Sequence, residues 1–585
     1  MCGIIGYTGT KDAVPMVVDG LRNLEYRGYD SCGIAVVSSD GIVIRKDVGR
    51  VETLANNGLR GSVAIGHTRW ATHGGVTQSN AHPHLSNNGR IVVVHNGIIE
   101  NHQQLKRELI EKGFIFHSQT DTEIIPNMIQ LYAAEMPNFM DAVKAALNRL
   151  EGSYAVVIAR KGEREIIAAR KESPLVLGVA EHGLFVASDI PAFIEQTKKV
   201  VYLNDMDMAV LNDKMHIFSL KTGLPVERNI DSIAWDVEAA KKGAFEHFML
   251  KEISEQVDTI SNAIGQDKGD IEEVADAIKK AKGVYFVACG TSYHACKAAE
   301  YKFSALSKRH VNVALASEFP YYKDFLVPES LVIAVSQSGE TADVLAAVWA
   351  AKEKGAKVIG LVNVMGSSLA RESDKAVMIH AGPEICVLST KAYTNQLAIL
   401  TLIAYALAGR YDEGKAKLKE LIRYVYYLTS ATMRAHIMQL ASQLRYAQHM
   451  YTIGRGIQYP TALEAALKIK EVSYIHAEGF AGGELKHGTI ALIEQGTPCM
   501  VFTSSDTEKE MISNASELKS RGAYIIGVGP QQNEVFDFFI KVREAEEANS
   551  ICQIIPMQLL AYQLAVLRGC DPDFPRNLAK SVTVK

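Results

Sequence analysis

The sequence has few cysteines, little net charge and no long apolar run. Its eight cysteines are scattered over 585 residues without a Cys-x-x-Cys pair, which argues against a disulfide scaffold or a structural zinc site. The net charge of −4 argues against nucleic-acid or anionic-membrane binding. The longest apolar stretch, residues 397–408, is shorter than the ~20 residues that span a bilayer, and no basic-then-apolar leader opens the chain. We therefore expect a cytoplasmic protein that binds no metal, membrane or nucleic acid.

The first 240 residues predict an α+β domain. Strand-like runs alternate with amphipathic helical segments, and Gly-rich turns separate them. The charged, weakly periodic stretch that follows predicts a linker, which we place at residues 241–269 and expect to lead into a helix. The strands are expected at residues 62–65, 90–95, 154–160 and 184–188, and the helices at 14–23, 103–112 and 121–134.

The second half of the chain repeats itself at an offset of about 167 residues. Each repeated segment is a β-branched apolar strand that leads to a small-residue turn and a helix, which is typical of a parallel, doubly wound sheet. We predict two similar α/β domains, at residues 270–410 and 440–568, followed by a short tail at 569–585. The matching segments are 284–290 with 451–456, 332–338 with 500–505, and 355–360 with 522–527.

A cysteine at position 2 is the first candidate catalytic residue. Removal of the initiator methionine would give Cys2 a free α-amine with a pKa of about 8 beside a thiol with a pKa of about 8.5. The neutral amine could serve as the base for the thiol nucleophile. The alternative is a cysteine without a role.

Polar residues farther along could hold an amino-acid substrate for such a thiol. Arg69 can bind a carboxylate bidentately, and Asp121 can bind an α-ammonium group. Asn96 and Gly97 come after a predicted strand and could supply N–H donors to an oxyanion. The alternatives are a hairpin turn at Asn96–Gly97 and a surface cation–π pair at Arg69–Trp70.

Six motifs of the first half resemble class II glutamine amidotransferase domains. The resemblance implies an N-terminal-nucleophile (Ntn) sandwich in which Cys2 attacks the glutamine amide and water hydrolyses the thioester. It also implies that Asn96 and Gly97 form the oxyanion hole and that Trp70 gates ammonia. The implied glutamine-binding residues are Arg69, Thr72, His73 and Asp121. The motifs are residues 1–6, 24–31, 67–74, 80–84, 95–101 and 120–123.

Two loops of the second half, residues 289–292 and 336–341, each follow a strand and precede a helix. Their hydroxyl and N–H groups at a helix N-terminus suit a phosphate, although N-capping alone would also explain them. The corresponding loop of the second repeat, residues 503–507, contains Asp506, which would repel phosphate. The first repeat should therefore bind the ligand.

Ionisable residues mark the second repeat. Glu464, Lys468 and Glu471 are spaced to share one helix face, and the alternative to a functional cluster is a solvated salt-bridge ladder. His487 is suited to proton transfer near neutral pH, and the alternative is a histidine with a structural role only. Lys580 could form a Schiff base if burial lowered its pKa.

These motifs resemble the paired sugar-isomerase (SIS) domains of isomerising aminotransferases that act on glutamine and fructose 6-phosphate. The resemblance implies that His487 opens the sugar ring, Lys580 forms an imine with the ketone and Glu471 moves the proton between C1 and C2, supported by Glu464 and Lys468. It implies a homodimer, no cofactor, and an ammonia channel between two active sites. The implied sugar-phosphate-binding residues are Thr291, Ser292, Ser336, Gln337, Ser338, Thr341, Val387 and Ser389.

Three alternative functions remain at this point. A glutamine amidotransferase with another acceptor would need an ATP-binding or pyrophosphate-binding domain, and no such signature is present. A phosphosugar isomerase with an inert N-terminal domain would not need Cys2, Arg69, Asn96 and Asp121. A phosphosugar-sensing regulator would usually carry a basic DNA-recognition helix, which the first half lacks.

Overall fold

The computed structural model describes residues 2–54, 58–233 and 242–583. The chain divides into two compact units. The first comprises Met1–Ala240 together with Ala579–Lys585, and the second comprises Lys241–Leu578. The predicted boundary at residues 240–241 and the last two residues of the predicted tail lie outside the described residues.

Two antiparallel sheets form the centre of the first unit. One has eight strands in the order β14-β11-β9-β10-β1-β4-β2-β3, and the other has six in the order β13-β12-β8-β7-β6-β5. The strands are β1 (Gly3–Gly9), β2 (Ser31–Val37), β3 (Ile42–Val48), β4 (Val63–Arg69), β5 (His84–Leu85), β6 (Ile91–Ile99), β7 (Gly152–Arg160), β8 (Ile166–Lys171), β9 (Val176–Ala180), β10 (Gly183–Ala187), β11 (Lys199–Tyr202), β12 (Asp207–Leu211), β13 (Met215–Ser219) and β14 (Asp231–Ser232).

Helices cover the outer face of each sheet. Helix α1 (Ala13–Asn23) packs on β1 and β4, whereas α2 (His102–Glu111), α3 (Ile124–Glu135) and α4 (Phe139–Asn148) enclose a core against the six-stranded sheet. A second apolar core fills the space between the two sheets. These are the layers of the predicted α+β sandwich, helix–sheet–sheet–helix.

The predicted helix at residues 121–134 begins three residues later than expected, at Ile124. The Glu123 carboxylate accepts hydrogen bonds from the backbone N–H groups of His117 and Ser118. Asp121 accepts one from the backbone N–H of Ile99. Acidic side chains that bond to nearby backbone favour a turn over a helix, which explains the delayed start.

Two parallel five-stranded sheets form the second unit, as predicted. Their orders are β16-β15-β17-β18-β19 and β21-β20-β22-β23-β24, so the second strand of each repeat lies beside the first at one edge. The three repeated segments of the sequence occupy the first, third and fourth strands of each sheet, counted in chain order. The strands are β15 (Gly283–Ala288), β16 (Asn312–Leu315), β17 (Ser330–Ser336), β18 (Lys357–Val362), β19 (Lys375–Met378), β20 (His449–Gly454), β21 (His476–Ala481), β22 (Pro498–Phe502), β23 (Tyr524–Gly529) and β24 (Phe538–Lys541).

The helices of the second unit share one apolar core with both sheets. Two of them, α5 and α6, lie inside the stretch predicted as a linker, and their buried side chains join that core. The helices are α5 (Phe248–Ser254), α6 (Gln256–Ile264), α7 (Lys268–Lys280), α8 (Gly290–Lys302), α9 (Ala342–Glu353), α10 (Ser368–Glu372), α11 (Lys391–Leu407), α12 (Tyr411–Leu428), α13 (Ala431–Leu444), α14 (Gln458–Ser473), α15 (Glu508–Lys519) and α16 (Asn549–Leu567).

One segment of the described chain, Glu546–Leu567, is long and apolar enough to cross a membrane. Its apolar window is 89% buried inside the protein. The helix lies against α13 and α14. Its composition is therefore that of a central core helix.

Candidate active sites

Cys2 lies immediately before β1, in the middle of the eight-stranded sheet. Its sulfur is 3.3 Å from the backbone nitrogen of Trp70, which donates to it, and its thiol faces the Trp70 carbonyl at 3.4 Å. Its own carbonyl oxygen accepts hydrogen bonds from Arg27 Nε at 3.3 Å and Asn96 Nδ2 at 2.9 Å. Burial raises the pKa of the Cys2 thiol, and the Trp70 contact and nearby Arg69 oppose that rise. These contacts fix the nucleophile candidate at the end of a rigid strand.

Asn96 and Gly97 lie inside β6 rather than after a strand. They pair with Ala155 and Tyr154 of β7, so the predicted strand end and the hairpin alternative are both wrong. Gly97 has φ +131°, and a Cβ there would lie 2.1 Å from the carbonyl oxygen of Ser153. Only glycine fits this position, because side chains disfavour this backbone region and the space is occupied.

The residues predicted to hold glutamine lie around the loop after β4. Arg69 donates to the carbonyl oxygens of His73, Gly74 and Gly75 and so shapes this loop. His73 packs edge-on against the ring of His102, with centroids 5.3 Å apart. Thr72 is exposed and Trp70 is half-buried.

Asp121 is buried and connects to β6. Its Oδ2 accepts a hydrogen bond of 2.8 Å from the backbone N–H of Ile99, two residues after Gly97. Direct hydrogen bonds therefore join Cys2, Trp70 and Asn96, and Asp121 is tied to the same strand as Asn96.

Four buried histidines behind Asn96 had no role in the sequence interpretation. The His67 and His82 rings stack at 4.1 Å, and the His82 and His84 rings meet edge-on at 4.8 Å. His95 Nδ1 is 2.9 Å from Thr122 Oγ1. Burial lowers the pKa of all four, to about 3 for His67. The motif at residues 80–84 and the repeated histidines were the available signal, but only the fold brings them together.

The predicted phosphate loop of the second unit connects β17 to α9. Ser336 Oγ accepts from the Gly339 backbone N–H at 3.1 Å and lies 3.3 Å from Thr341 Oγ1. Ser338 Oγ accepts from the Glu340 backbone N–H at 3.2 Å. The Gln337 carbonyl accepts from the backbone N–H of Asn363. Gly339 has φ +67°, which allows the sharp turn before the helix. The loop thus presents hydroxyls and N–H groups at one helix N-terminus.

The corresponding loop of the second repeat is already filled by its own side chains. Ser504 Oγ lies 3.0 Å from Gln458 Oε1 and 2.9 Å from Thr507 Oγ1, and it also donates to Asp506. This arrangement leaves a carboxylate where the first repeat has Gly339.

Thr291, Ser292 and Ser389 lie near the buried face of α14. Lys468 Nζ donates to Thr291 Oγ1 at 3.0 Å and to the Ser389 carbonyl at 3.4 Å. Ser292 Oγ accepts from Gln396 Nε2 at 3.0 Å. The backbone N–H of Val387 donates to the carbonyl of Asp573 at 3.1 Å. This hydrogen bond anchors the loop that contains Ser389.

The Glu464–Lys468–Glu471 stripe forms a buried ion cluster. Glu464 and Lys468 are 0% exposed, which rules out the solvated ladder. Lys468 Nζ is 3.4 Å from Glu464 Oε1 and 2.8 Å from Glu471 Oε2. Burial alone would lower the pKa of Lys468, but the two carboxylates outweigh burial and raise it. His294, which the sequence interpretation missed, completes the cluster with Nδ1 2.7 Å from Glu464 Oε2.

Two predicted residues of the second half-reaction, His487 and Lys580, lie elsewhere in the chain. His487 is exposed at the end of a short 3₁₀ helix, Gly482–His487. Lys580 belongs to the segment Ala579–Lys585, which groups with the first unit. Within the described part of the chain, no group of three or more His, Cys, Asp or Glu side chains could hold a metal ion.

The fold and the matching family models identify a glutamine amidotransferase domain followed by a pair of SIS domains. A glutamine amidotransferase domain model matches residues 67–195, and an SIS domain model matches residues 277–406 and 443–568. These matches confirm the predicted fold class.

Similar proteins share one name along the whole chain. The glutamine–fructose-6-phosphate aminotransferases [isomerizing] of Pyrococcus horikoshii and Thermococcus kodakarensis are each 46% identical, over 100% of this chain and 100% of theirs. A solved C-terminal domain of glucosamine-fructose-6-phosphate aminotransferase from Francisella tularensis is 35% identical, with a TM-score of 0.53 over 57% of this chain and 100% of that chain. The chain belongs to the glutamine–fructose-6-phosphate aminotransferase (isomerizing) family.

Proposed function

We propose that the protein transfers the amide nitrogen of glutamine to fructose 6-phosphate and isomerises the product, giving glucosamine 6-phosphate and glutamate. The observation that carries this proposal is full-length family membership in a chain with a Cys2–Asn96 pair and a buried Lys468 cluster. Membership supplies the substrates, and the two clusters supply the chemistry that each half-reaction needs.

In the first half-reaction, the Cys2 amine, freed by removal of Met1, accepts the thiol proton. The thiolate attacks the carboxamide carbon of glutamine, and the developing oxyanion accepts hydrogen bonds from the Asn96 side chain and the Gly97 N–H. The C–N bond breaks, ammonia leaves with the proton, and water hydrolyses the thioester to glutamate and free Cys2. Arg69, Thr72, His73 and Asp121 hold the glutamine, and Trp70 gates the ammonia.

In the second half-reaction, the sugar phosphate binds the loop at residues 336–341, with Thr291, Ser292, Val387 and Ser389 around the sugar. His487 opens the ring, and Lys580 condenses with the C2 ketone to form an imine and release water. Ammonia displaces the lysine, and Glu471 moves a proton from C1 to C2, which converts the ketimine into the amino aldose. Glu464 and Lys468 support that transfer through their ion pairs.

Product analysis with two variants tests this division of labour. Wild-type protein should convert glutamine and fructose 6-phosphate to glucosamine 6-phosphate. Cys2→Ala should lose glutamine use but keep synthesis from added ammonia, whereas Lys580→Ala should lose amino-sugar formation from either nitrogen source. Absence of amino sugar from wild-type protein under both conditions would refute the proposal.

Coupling of the two half-reactions gives a further expectation. Ammonia is mostly protonated at neutral pH and would be lost to solvent, so glutamine hydrolysis should rise once fructose 6-phosphate is bound. Equal hydrolysis rates with and without the sugar would contradict this expectation.

We also propose a cytoplasmic homodimer. The exposure of His487 suits a residue that acts in a partner's active site. Co-expression of His487→Ala and Lys468→Met chains tests this idea, because mixed dimers should regain activity only if the two residues act across subunits. A monomer in light scattering would refute it.

A further inference from the structure

The imidazole of His67 makes an unusual pair of contacts behind the proposed oxyanion hole. Its Nε2 lies 3.0 Å from the carbonyl oxygen of His95 and 3.1 Å from Asn96 Oδ1. His67 is fully buried in β4, and its ring stacks on His82. Within the described part of the chain no hydrogen bond joins His67 to Cys2, and the proposed reaction gives His67 no role.

The hydrogen bonds fix the orientation of the Asn96 amide without further assumptions. The carbonyl oxygen of Cys2 can only accept, so the Asn96 atom 2.9 Å away must be the donor Nδ2. The atom that faces His67 is then the acceptor Oδ1. The His95 carbonyl is also an acceptor, so His67 Nε2 must carry a hydrogen that it shares between two oxygens.

Only one form of His67 meets these requirements. Protonation is excluded near neutral pH because burial lowers the pKa of His67 to about 3. The opposite neutral tautomer would point a nitrogen lone pair at two oxygen atoms. His67 is therefore a neutral imidazole with its hydrogen on Nε2.

We propose that His67 is a positioning residue for glutamine hydrolysis, which holds the Asn96 amide so that its N–H₂ group faces Cys2 and the oxyanion. Without this donor, the acceptor Oδ1 would lose its partner and the amide could rotate by half a turn. Asn96 Oδ1 would then face the Cys2 carbonyl and repel the developing oxyanion. The inference rests on the proposed function of Cys2 and Asn96.

The test compares His67→Leu with His67→Gln. Leucine removes the donor, whereas the glutamine side-chain amide can place an N–H near the position of His67 Nε2. Loss of an oxyanion-hole donor costs about 10²–10³-fold in kcat, and partial misorientation should cost at least about tenfold. We expect His67→Leu to lower kcat for glutamine hydrolysis at least about tenfold, with a much smaller change in KM. We expect His67→Gln to recover most of the lost kcat.

A second readout separates amide orientation from damage to the fold. Alkylation of Cys2 by iodoacetamide forms a C–S bond and releases iodide without an oxyanion intermediate. His67→Leu should therefore alkylate Cys2 at nearly the wild-type rate, measured on the Cys2 peptide by mass spectrometry. Synthesis from added ammonia should also be preserved. Val157→Ala, a core truncation in β7, controls for general destabilisation of the first unit.

Three results would overturn the inference. These are wild-type hydrolysis by His67→Leu, equal losses of hydrolysis and alkylation, and a His67→Gln variant as slow as His67→Leu. Cys2→Ala distinguishes this failure from failure of the proposed function. If Cys2→Ala still hydrolyses glutamine, the proposed function and this inference both fail. If it does not, a wild-type rate for His67→Leu refutes the inference alone.

Discussion

Lys302 is a fully buried lysine that the proposed reaction does not use, and its replacement by methionine should stabilise the protein. Its Nζ donates to Thr401 Oγ1 at 2.8 Å, and it forms no ion pair with any other described residue. Burial lowers its pKa from 10.5 to about 7, although the charge of Glu547 opposes that change. Thr401 also donates to the Leu397 carbonyl, so Lys302→Met leaves its hydroxyl satisfied.

The magnitude follows from the pKa difference. At 1.36 kcal/mol per pKa unit, a change from 10.5 to about 7 corresponds to about 5 kcal/mol. The unfolded chain binds a proton below pH 10.5 that the folded chain binds only below about 7, so the free energy of unfolding rises with pH in this window. Lys302→Met should therefore raise the free energy of unfolding above that of the wild-type protein by about 4 kcal/mol at pH 7.5 and by about 1.5 kcal/mol at pH 9.5.

Urea denaturation followed by circular dichroism at the two pH values measures this difference. The matched control is Lys391→Met, because Lys391 is equally buried but pairs with Glu255 at 2.7 Å. Its loss should destabilise the protein by removing the buried partner of Glu255, which would keep only the longer 3.3 Å contact to Lys251. A destabilising Lys302→Met, or a stabilisation that is the same at both pH values, would refute the reasoning.

Three further predictions concern the two active sites. Gly97→Ala should abolish glutamine hydrolysis while sparing synthesis from ammonia, because its Cβ would meet the Ser153 carbonyl at 2.1 Å; normal hydrolysis would contradict this geometry. Lys468→Met should lower ammonia-dependent amino-sugar formation by about 10²-fold or more and spare glutamine hydrolysis, as two product assays would show. Ser336→Ala should raise the KM for fructose 6-phosphate about tenfold with a smaller change in kcat, because one hydrogen bond to a charged phosphate is lost; an unchanged KM would exclude Ser336 from the phosphate site.

The sequence predicted features that have local or repeated signals. The β-branched segments 332–338 and 500–505 predicted equivalent strands, and the offset of about 167 residues between the repeats predicted two similar domains with parallel sheets. The nucleophilic role of Cys2, inferred from its place beside Met1, stays a prediction. Each of these signals lies within a few neighbouring residues or in a direct comparison of two segments.

Features set by distant contacts were missed. Asn96–Gly97 is a typical turn sequence, yet it lies inside β6 because the pairing with β7 fixes its backbone. The helices α5 and α6 have a charged and weakly periodic sequence, and the core of the second unit supplies their stability. His294 gave no signal as a single histidine in a helix, since its partner Glu464 lies 170 residues away.

The first candidate site is lined by buried neutral histidines, whereas the second contains a buried cluster of charged side chains. This difference follows from the proposed chemistry. Behind Asn96, His67 and His82 stack at 4.1 Å, so a proton on either ring would be costly in a buried position. Such neutral rings can orient an amide dipole toward a developing oxyanion without carrying a charge of their own. Around Glu464, by contrast, Lys468 is held protonated between two carboxylates. Movement of a proton between two carbons needs a carboxylate base whose environment retains charge, so an ion cluster suits the second site and would be out of place in the first.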